Sequence, residues 1–161
     1  MLKHTKGNLI DLAEQGKFDI IVHGCNCQNT MGSGIAKEIR ERYPQAYEAD
    51  TSAGRTYQYP ILKLGNFSVA GDNPIDPKFE IVNAYTQVHY LPRGEDHFEY
   101  DSFKMILSKL ACIAPDARYG FPYIGMGLAG GDKDRIIDIL EIFANRITVT
   151  GGSATLVEFA G

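Results

Sequence analysis

Much of what would point to a familiar class is missing from this sequence. No apolar run approaches the roughly 18 residues of a membrane span, and the N-terminus has no signal-peptide pattern. Cysteine is scarce and odd in number at 3, with two of them close together as Cys25-x-Cys27, so no disulfide framework is expected. These absences predict a reduced, soluble, cytoplasmic protein with no membrane partner. A basic excess is also lacking: Lys and Arg number 16 against 20 Asp and Glu, a net charge of -4 with the signs interspersed. No face can then neutralise a nucleic-acid backbone in bulk. There are no internal repeats and no low-complexity tract. At Gly32-Ser33-Gly34 neither G-x-G-x-x-G nor G-K-[ST] is completed, since Lys37 stands where a third Gly would be. No cofactor is expected.

What remains is a chain of 161 residues, expected to form a single domain over residues 1–161 with a core that needs no staples. It is organised around one stretch, His23-Gly24-Cys25-Asn26-Cys27-Gln28-Asn29-Thr30-Met31-Gly32-Ser33-Gly34-Ile35-Ala36. A buried apolar run, Asp19-Ile20-Ile21-Val22, enters it, and a helical pattern from Ile35 to Tyr43 leaves it. A strand, a Gly-rich turn and a helix start in succession make an anion site. The first amides of a helix lack intrahelical partners, and Gly32 and Gly34 let the backbone approach a phosphate. A second Gly-rich stretch, Ile124-Gly125-Met126-Gly127-Leu128-Ala129-Gly130-Gly131, has the same setting. If the two preceding strands are neighbours, a diphosphate would lie between the loops; alternatively, both are only tight turns.

Along the chain, Met1 to Lys6 reads as a strand, and Asn8 is placed to cap a helix from Leu9 to Gln15. Phe18 to Val22 reads as a buried strand. The helix from Gly34 is expected to stop at Pro44, with one more turn at most, and Thr51 to Pro60 to be a polar surface excursion. Strands follow at Asn66 to Ala70 and Phe79 to Tyr85, joined by a hairpin-like loop with Asn-Pro and Asp-Pro steps. A long polar loop, Thr86 to Glu99, carries His89, Tyr90, Pro92, Arg93 and His97. Helices are predicted over Tyr100 to Ala114 and Lys133 to Asn145, and strands over Tyr119 to Pro122 and Ala154 to Phe159. The alternation predicts a mixed, mostly parallel sheet sandwiched by helices, with sites at the carboxyl ends of its strands.

Three motifs in order, Lys6-Gly7-Asn8-Leu9, Val22 to Ala36, and Pro122 to Gly131, resemble those of the macro domains, the ADP-ribose-binding α/β modules. The likeness is greatest to the branch holding the ADP-ribose 1''-phosphate phosphatases and the terminal ADP-ribose protein glycohydrolase. It implies a three-layer α/β/α fold and ADP-ribose derivatives as small-molecule ligands, with ADP-ribosylated macromolecules as further candidates. The protein is expected to act as a monomer. The ligand-contacting residues implied are Gly7, Asn8 and Leu9; Gly24, Cys25, Asn26, Met31, Gly32, Ser33, Gly34, Ile35 and Ala36; and Ile124, Gly125, Met126, Gly127, Leu128, Ala129 and Gly130.

By the same resemblance Asn26 meets the distal ribose and Asn8 the adenine amino group, through its amide oxygen. Either could instead be serving its own backbone, Asn26 in a turn and Asn8 as a cap. Catalysis is expected from His23, Asn26 and Asp132. His23 could act as base or nucleophile at a terminal phosphate, unless strand geometry buries it. Asp132 could orient water or the ribose, or simply cap a helix. A metal held by His23, Cys25 and Cys27 lacks a partner motif, and none is expected. The sequence departs from the glycohydrolase pattern at Ala129, where that enzyme has its catalytic Asp. Its nucleophilic Lys is not found after the strand ending at Ala70, and Lys63 lies before that strand. Phe159 could stack on adenine or join the core.

Overall fold

The computed structural model describes residues 1–28, 31, 34–57, 59–88, 98–126 and 130–160. The strands are Lys3–Gly7 (β1), Ile20–Asn26 (β2), Phe67–Gly71 (β3), Glu80–Gln87 (β4), Arg118–Phe121 (β5) and Ser153–Phe159 (β6). The helices are Leu9–Glu14 (α1), Gly34–Arg42 (α2), Pro44–Thr56 (α3), Tyr100–Ile113 (α4) and Lys133–Thr148 (α5), with a 3₁₀ turn at Pro60–Lys63. The strands form one sheet in the order β1-β6-β5-β2-β4-β3. Every neighbouring pair is parallel except β3 and β4. Helices cover both faces, the three-layer α/β/α arrangement that the alternation predicts.

Strand alternation sorts the core into two halves. On one side Val22, Val82, Ala84, Tyr119, Phe121 and Leu156 meet the apolar stripes of α4 and α5. On the other, Ile21, Cys25, Ile81, Tyr85 and Val157 meet α1, α2 and α3. The predicted hairpin is present between β3 and β4, and Asp72 Oδ1 holds its turn by accepting from the amides of Lys78 at 2.7 Å and Phe79 at 3.2 Å.

Two boundaries differ from expectation. β2 runs on to Asn26, so His23, Gly24, Cys25 and Asn26 belong to a strand rather than a turn, because their pairing with β4 continues to Gln87 across an irregularity between Cys25 and Asn26. The stretch from Thr51 is the second half of α3. Pro44 does not merely stop α2; it occupies the first turn of a new helix, where its fixed φ and missing N–H cost nothing.

α3 carries Asp50 into the interior, 1% exposed, where Lys63 Nζ donates to Asp50 Oδ1 at 2.9 Å. The ammonium also lies 4.1 Å from the centre of the Tyr85 ring. Removing one partner of such a pair strands the other charge away from water. Asp50→Ala should therefore lower unfolding free energy by about 3–5 kcal/mol, and combining Asp50→Leu with Lys63→Met should recover most of the loss. Urea titration of the three proteins checks this; a single-variant loss below about 1 kcal/mol would contradict it.

Candidate functional site

Since β1, β6, β5, β2 and β4 run in parallel, their carboxyl ends at Gly7, Phe159, Phe121, Asn26 and Gln87 share one edge of the sheet. That edge holds a crevice of about 350 Å³ lined by Gly7, Asn8, Leu9, Gly34, Ile35, Glu38, Pro122, Val157 and Phe159. The start of α1 forms one wall and the start of α2 another. The first and second sequence motifs thus meet here through Gly7, Asn8, Leu9, Gly34 and Ile35. Gly34 has φ +57° and an added Cβ there would meet nothing within 4 Å, so packing leaves open space at the entry to α2. Phe159 is 73% exposed, at the crevice rather than in the core.

The third motif comes up against the end of β2. A Cβ on Gly24 would lie 3.0 Å from Thr86 Oγ1 and 3.1 Å from Ile124 Cγ1, so a larger residue would push these side chains aside by a few tenths of an ångström. Gly125, at φ +74°, turns the chain, and the amide of Gly131 donates back to its carbonyl at 2.7 Å, closing the loop before α5. Met31 is buried, whereas Ala36 and Met126 are half-buried. The expected ligand contacts Gly32, Ser33, Gly127, Leu128 and Ala129 lie outside the described residues, as do His89, Tyr90, Pro92, Arg93 and His97.

No family model matches the chain. It is 32% identical over 155 residues to an uncharacterized 17.5 kDa protein from the tk-vs intergenic region of Enterobacteria phage T4, covering 92% of this chain and 94% of that one. The two belong to one family. Among solved structures, the macrodomain of Mycobacterium tuberculosis DarG superposes with a TM-score of 0.77 at 22% identity, covering 98% of this chain and 97% of that one. The chain has the macrodomain fold. A Trypanosoma brucei macrodomain in complex with ADP-ribose superposes with a TM-score of 0.66 at 12% identity, over 97% of this chain and 62% of that one. Other relatives have names that state one of two activities. The ADP-ribose 1''-phosphate phosphatase of Aspergillus oryzae is 29% identical over 93 residues, 58% of this chain and 43% of its own. The DNA ADP-ribosyl glycohydrolase of M. tuberculosis is 24% identical over 137 residues, 84% of this chain and 36% of its own. This macrodomain therefore spans less than half the length of either enzyme.

Several side chains sit differently from the sequence expectation. Asn8 caps α1: its Oδ1 accepts from the amides of Ile10 at 3.0 Å and Asp11 at 3.1 Å. The oxygen expected to receive an adenine amino proton is thus already engaged by backbone. Asp132 caps α5 in the same way, accepting from Asp134 at 2.9 Å and Arg135 at 3.3 Å. Those two amides are consequently not available to a phosphate, and the idea of two open helix starts facing each other does not hold for α5. Asn26 Oδ1 accepts from the amide of Gln28 at 2.8 Å and steadies the bend after β2.

His23 is fully buried on the α1–α3 side of the sheet, not in the crevice, and neither Asn26 nor Asp132 lines that crevice among the described residues. The His23 Nε2 lies 2.6 Å from Asn83 Oδ1. Because the Asn83 amide nitrogen donates to the Ala46 carbonyl and to Ser68 Oγ, each at 3.0 Å, its oxygen must accept, and the proton belongs on Nε2. Burial pushes the His23 pKa down to about 4 despite the opposing pull of Asn83 and Asp50, so the ring is neutral at physiological pH. Burial likewise raises the Cys25 thiol well above its usual range and the Cys27 thiol to about 11, keeping both protonated. Lys63, paired with Asp50, is equally enclosed. The carboxyl end of β3, after which the glycohydrolase pattern has its Lys, points to the opposite sheet edge because β3 is antiparallel. The crevice residues missed from sequence are Glu38 and Val157, whereas Pro122 opens the third motif and Phe159, an aromatic at a strand end, is expected either here or in the core.

The buried imidazole has a consequence for stability. The unfolded chain takes up a proton near pH 6.5, whereas the folded ring does so only near 4. Between those values the unfolded state binds more protons, so stability should fall as pH drops through that window, by on the order of 3 kcal/mol for this group. Melting curves from pH 7 to 4 should show the decline, and His23→Gln should remove this component of it. An identical pH dependence in the variant would refute the assignment.

Proposed function

We propose that this macrodomain binds ADP-ribose in the crevice and hydrolyses the terminal phosphate of ADP-ribose 1''-phosphate. The observation that carries the binding is the crevice itself. Leu9, Ile35, Val157 and the exposed ring of Phe159 offer an apolar slot for a planar base. The slot leads to the start of α2, where Gly34 leaves room for a diphosphate against helix amides. The distal ribose then extends toward Asn26 and the turn at Gly125. The relative named as an ADP-ribose 1''-phosphate phosphatase and the T. brucei neighbour crystallised with ADP-ribose support this reading.

In the reaction, water attacks the terminal phosphorus and the bond from phosphorus to the C1'' oxygen breaks, yielding inorganic phosphate and ADP-ribose. Asn26 orients the ribose and its phosphate, and the free oxygen of the Asp132 carboxylate is the acceptor for the attacking water. His23, enclosed and neutral, acts as a positioning residue that ties the end of β2 to β4 through Asn83. A second reading, release of ADP-ribose from a modified macromolecule, is favoured by the longer match to the mycobacterial glycohydrolase. With Lys63 ion-paired in the interior, that reaction would proceed by water attack at C1'' rather than through Lys63.

Incubating the protein in parallel with ADP-ribose 1''-phosphate and with ADP-ribosylated DNA and protein separates the readings. Phosphate release from the first alone is expected; ADP-ribose release from the acceptors alone would replace the proposal with the second reading, and tight binding without turnover would make the protein a binding module. By calorimetry, ADP-ribose binding should survive a metal chelator, and Gly34→Val should abolish it in a folded protein, since the new side chain fills the space intended for phosphate. Asn26→Ala should keep ADP-ribose affinity within about threefold while turnover falls at least roughly 100-fold, the scale for losing one polar group that acts in the transition state.

A further inference from the structure

Asn8 has to meet two demands with one amide. Its Oδ1 receives two backbone N–H groups, from Ile10 and Asp11, which occupies both lone pairs of the oxygen. Turning the amide over would set its NH₂ against the same two donors and undo the cap of α1, so the orientation is dictated by the helix. Asn8 also lines the crevice. What the side chain has left for an occupant is therefore its nitrogen, a donor.

The chemistry of this end of the crevice says which part of a ligand it takes. Leu9, Ile35, Val157 and Phe159 are apolar, and Glu38 adds a carboxylate whose Oε1 accepts from Arg42 at 3.2 Å. A wall carrying that negative charge disfavours phosphate, and the aliphatic and aromatic surfaces suit a neutral heterocycle. We propose, on the basis of the ADP-ribose reading, that Asn8 serves the base as a hydrogen-bond donor only. The site then selects its nucleotide through an acceptor on the base edge and does not require the 6-amino group of adenine. Its substrate class widens to purine diphosphoriboses with either a 6-amino or a 6-oxo base.

Asn8→Asp tests this directly. A carboxylate has two oxygens, one able to cap α1 as well as Asn does and one able to accept from a ligand, so the fold is retained while the group offered to the crevice changes from donor to acceptor. Affinities for ADP-ribose and inosine diphosphoribose are measured by calorimetry on both proteins. The two ligands carry the same diphosphate charge, so any general repulsion by the new carboxylate cancels in their ratio. The wild-type protein should bind the 6-oxo ligand at least as well as ADP-ribose, and Asn8→Asp should move the preference toward ADP-ribose by about tenfold. A shift of threefold or more in that direction supports the donor role. A smaller or opposite shift, with both ligands still bound by the wild type, overturns it and leaves the ADP-ribose reading standing. Failure of the wild type to bind either ligand removes that reading and this one together.

Discussion

The hydrogen bond between His23 and Asn83, at 2.6 Å, couples the neighbouring strands β2 and β4 inside a half-core that is otherwise largely apolar. It can form in only one register, because a slip of a single residue would turn His23 to the α4–α5 side, where Val22 and Val82 now pack. Asn83 spends its two N–H groups on the Ala46 carbonyl of α3 and on Ser68 of β3, so one amide joins β2, β3, β4 and α3. Beside it the Lys63–Asp50 pair ties α3 to the 3₁₀ turn before β3. Desolvation penalises each of these groups unless all are present, so the cluster holds the elements in one arrangement. The end of β2, and with it the start of the loop that leads to α2, is set by that arrangement.

For a chain of net charge -4, the proposed binding of a doubly anionic diphosphate needs positive potential from somewhere other than a basic surface. Helix starts can supply it, but the four that follow parallel strands are not equivalent, and α4 carries Asp101 in its first turn. α1 and α5 are closed by the side chains of Asn8 and Asp132. α2 has no acidic residue in its first turn and begins with a glycine whose absent side chain leaves open space. Its dipole and amides are accordingly the feature of the edge best suited to a phosphate. The carboxylate of Glu38, one turn farther along, works against phosphate at the other end, and the polarity along the crevice gives a ligand one preferred direction.

The same side chains show how local and tertiary demands compete. Asn8 and Asp132 stand in motifs that resemble ligand-contacting positions, and both are also good N-caps, a role legible from Leu9 and Lys133 following them. In each case the cap takes the oxygen. What remains for chemistry is the other half of the side chain, an NH₂ group in Asn8 and a second oxygen in Asp132, and this division follows from the hydrogen-bond count rather than from residue type.

The sequence by itself determined the alternation of strands and helices apart from α3, the strand-loop-helix character of the two Gly-rich stretches, the hairpin at Asn73-Pro74 and the three-layer class, because apolar period, Gly and Pro act over a few residues and need no partner. It also located Gly7, Asn8, Leu9, Gly34 and Ile35, which meet in one crevice, since parallel strands bring their carboxyl ends together whatever the details of packing. Tertiary structure decided the rest. Whether His23 faced a ligand or the core depended on which side of β2 the helices α1 to α3 would cover. The enclosure of Lys63 depended on Asp50 arriving from a helix that the polar composition after Thr51 disguised. Phe159 and Glu38 joined the crevice only because β6 lies beside β1 and α2 packs near α1, contacts between segments distant in the sequence that no local pattern encodes.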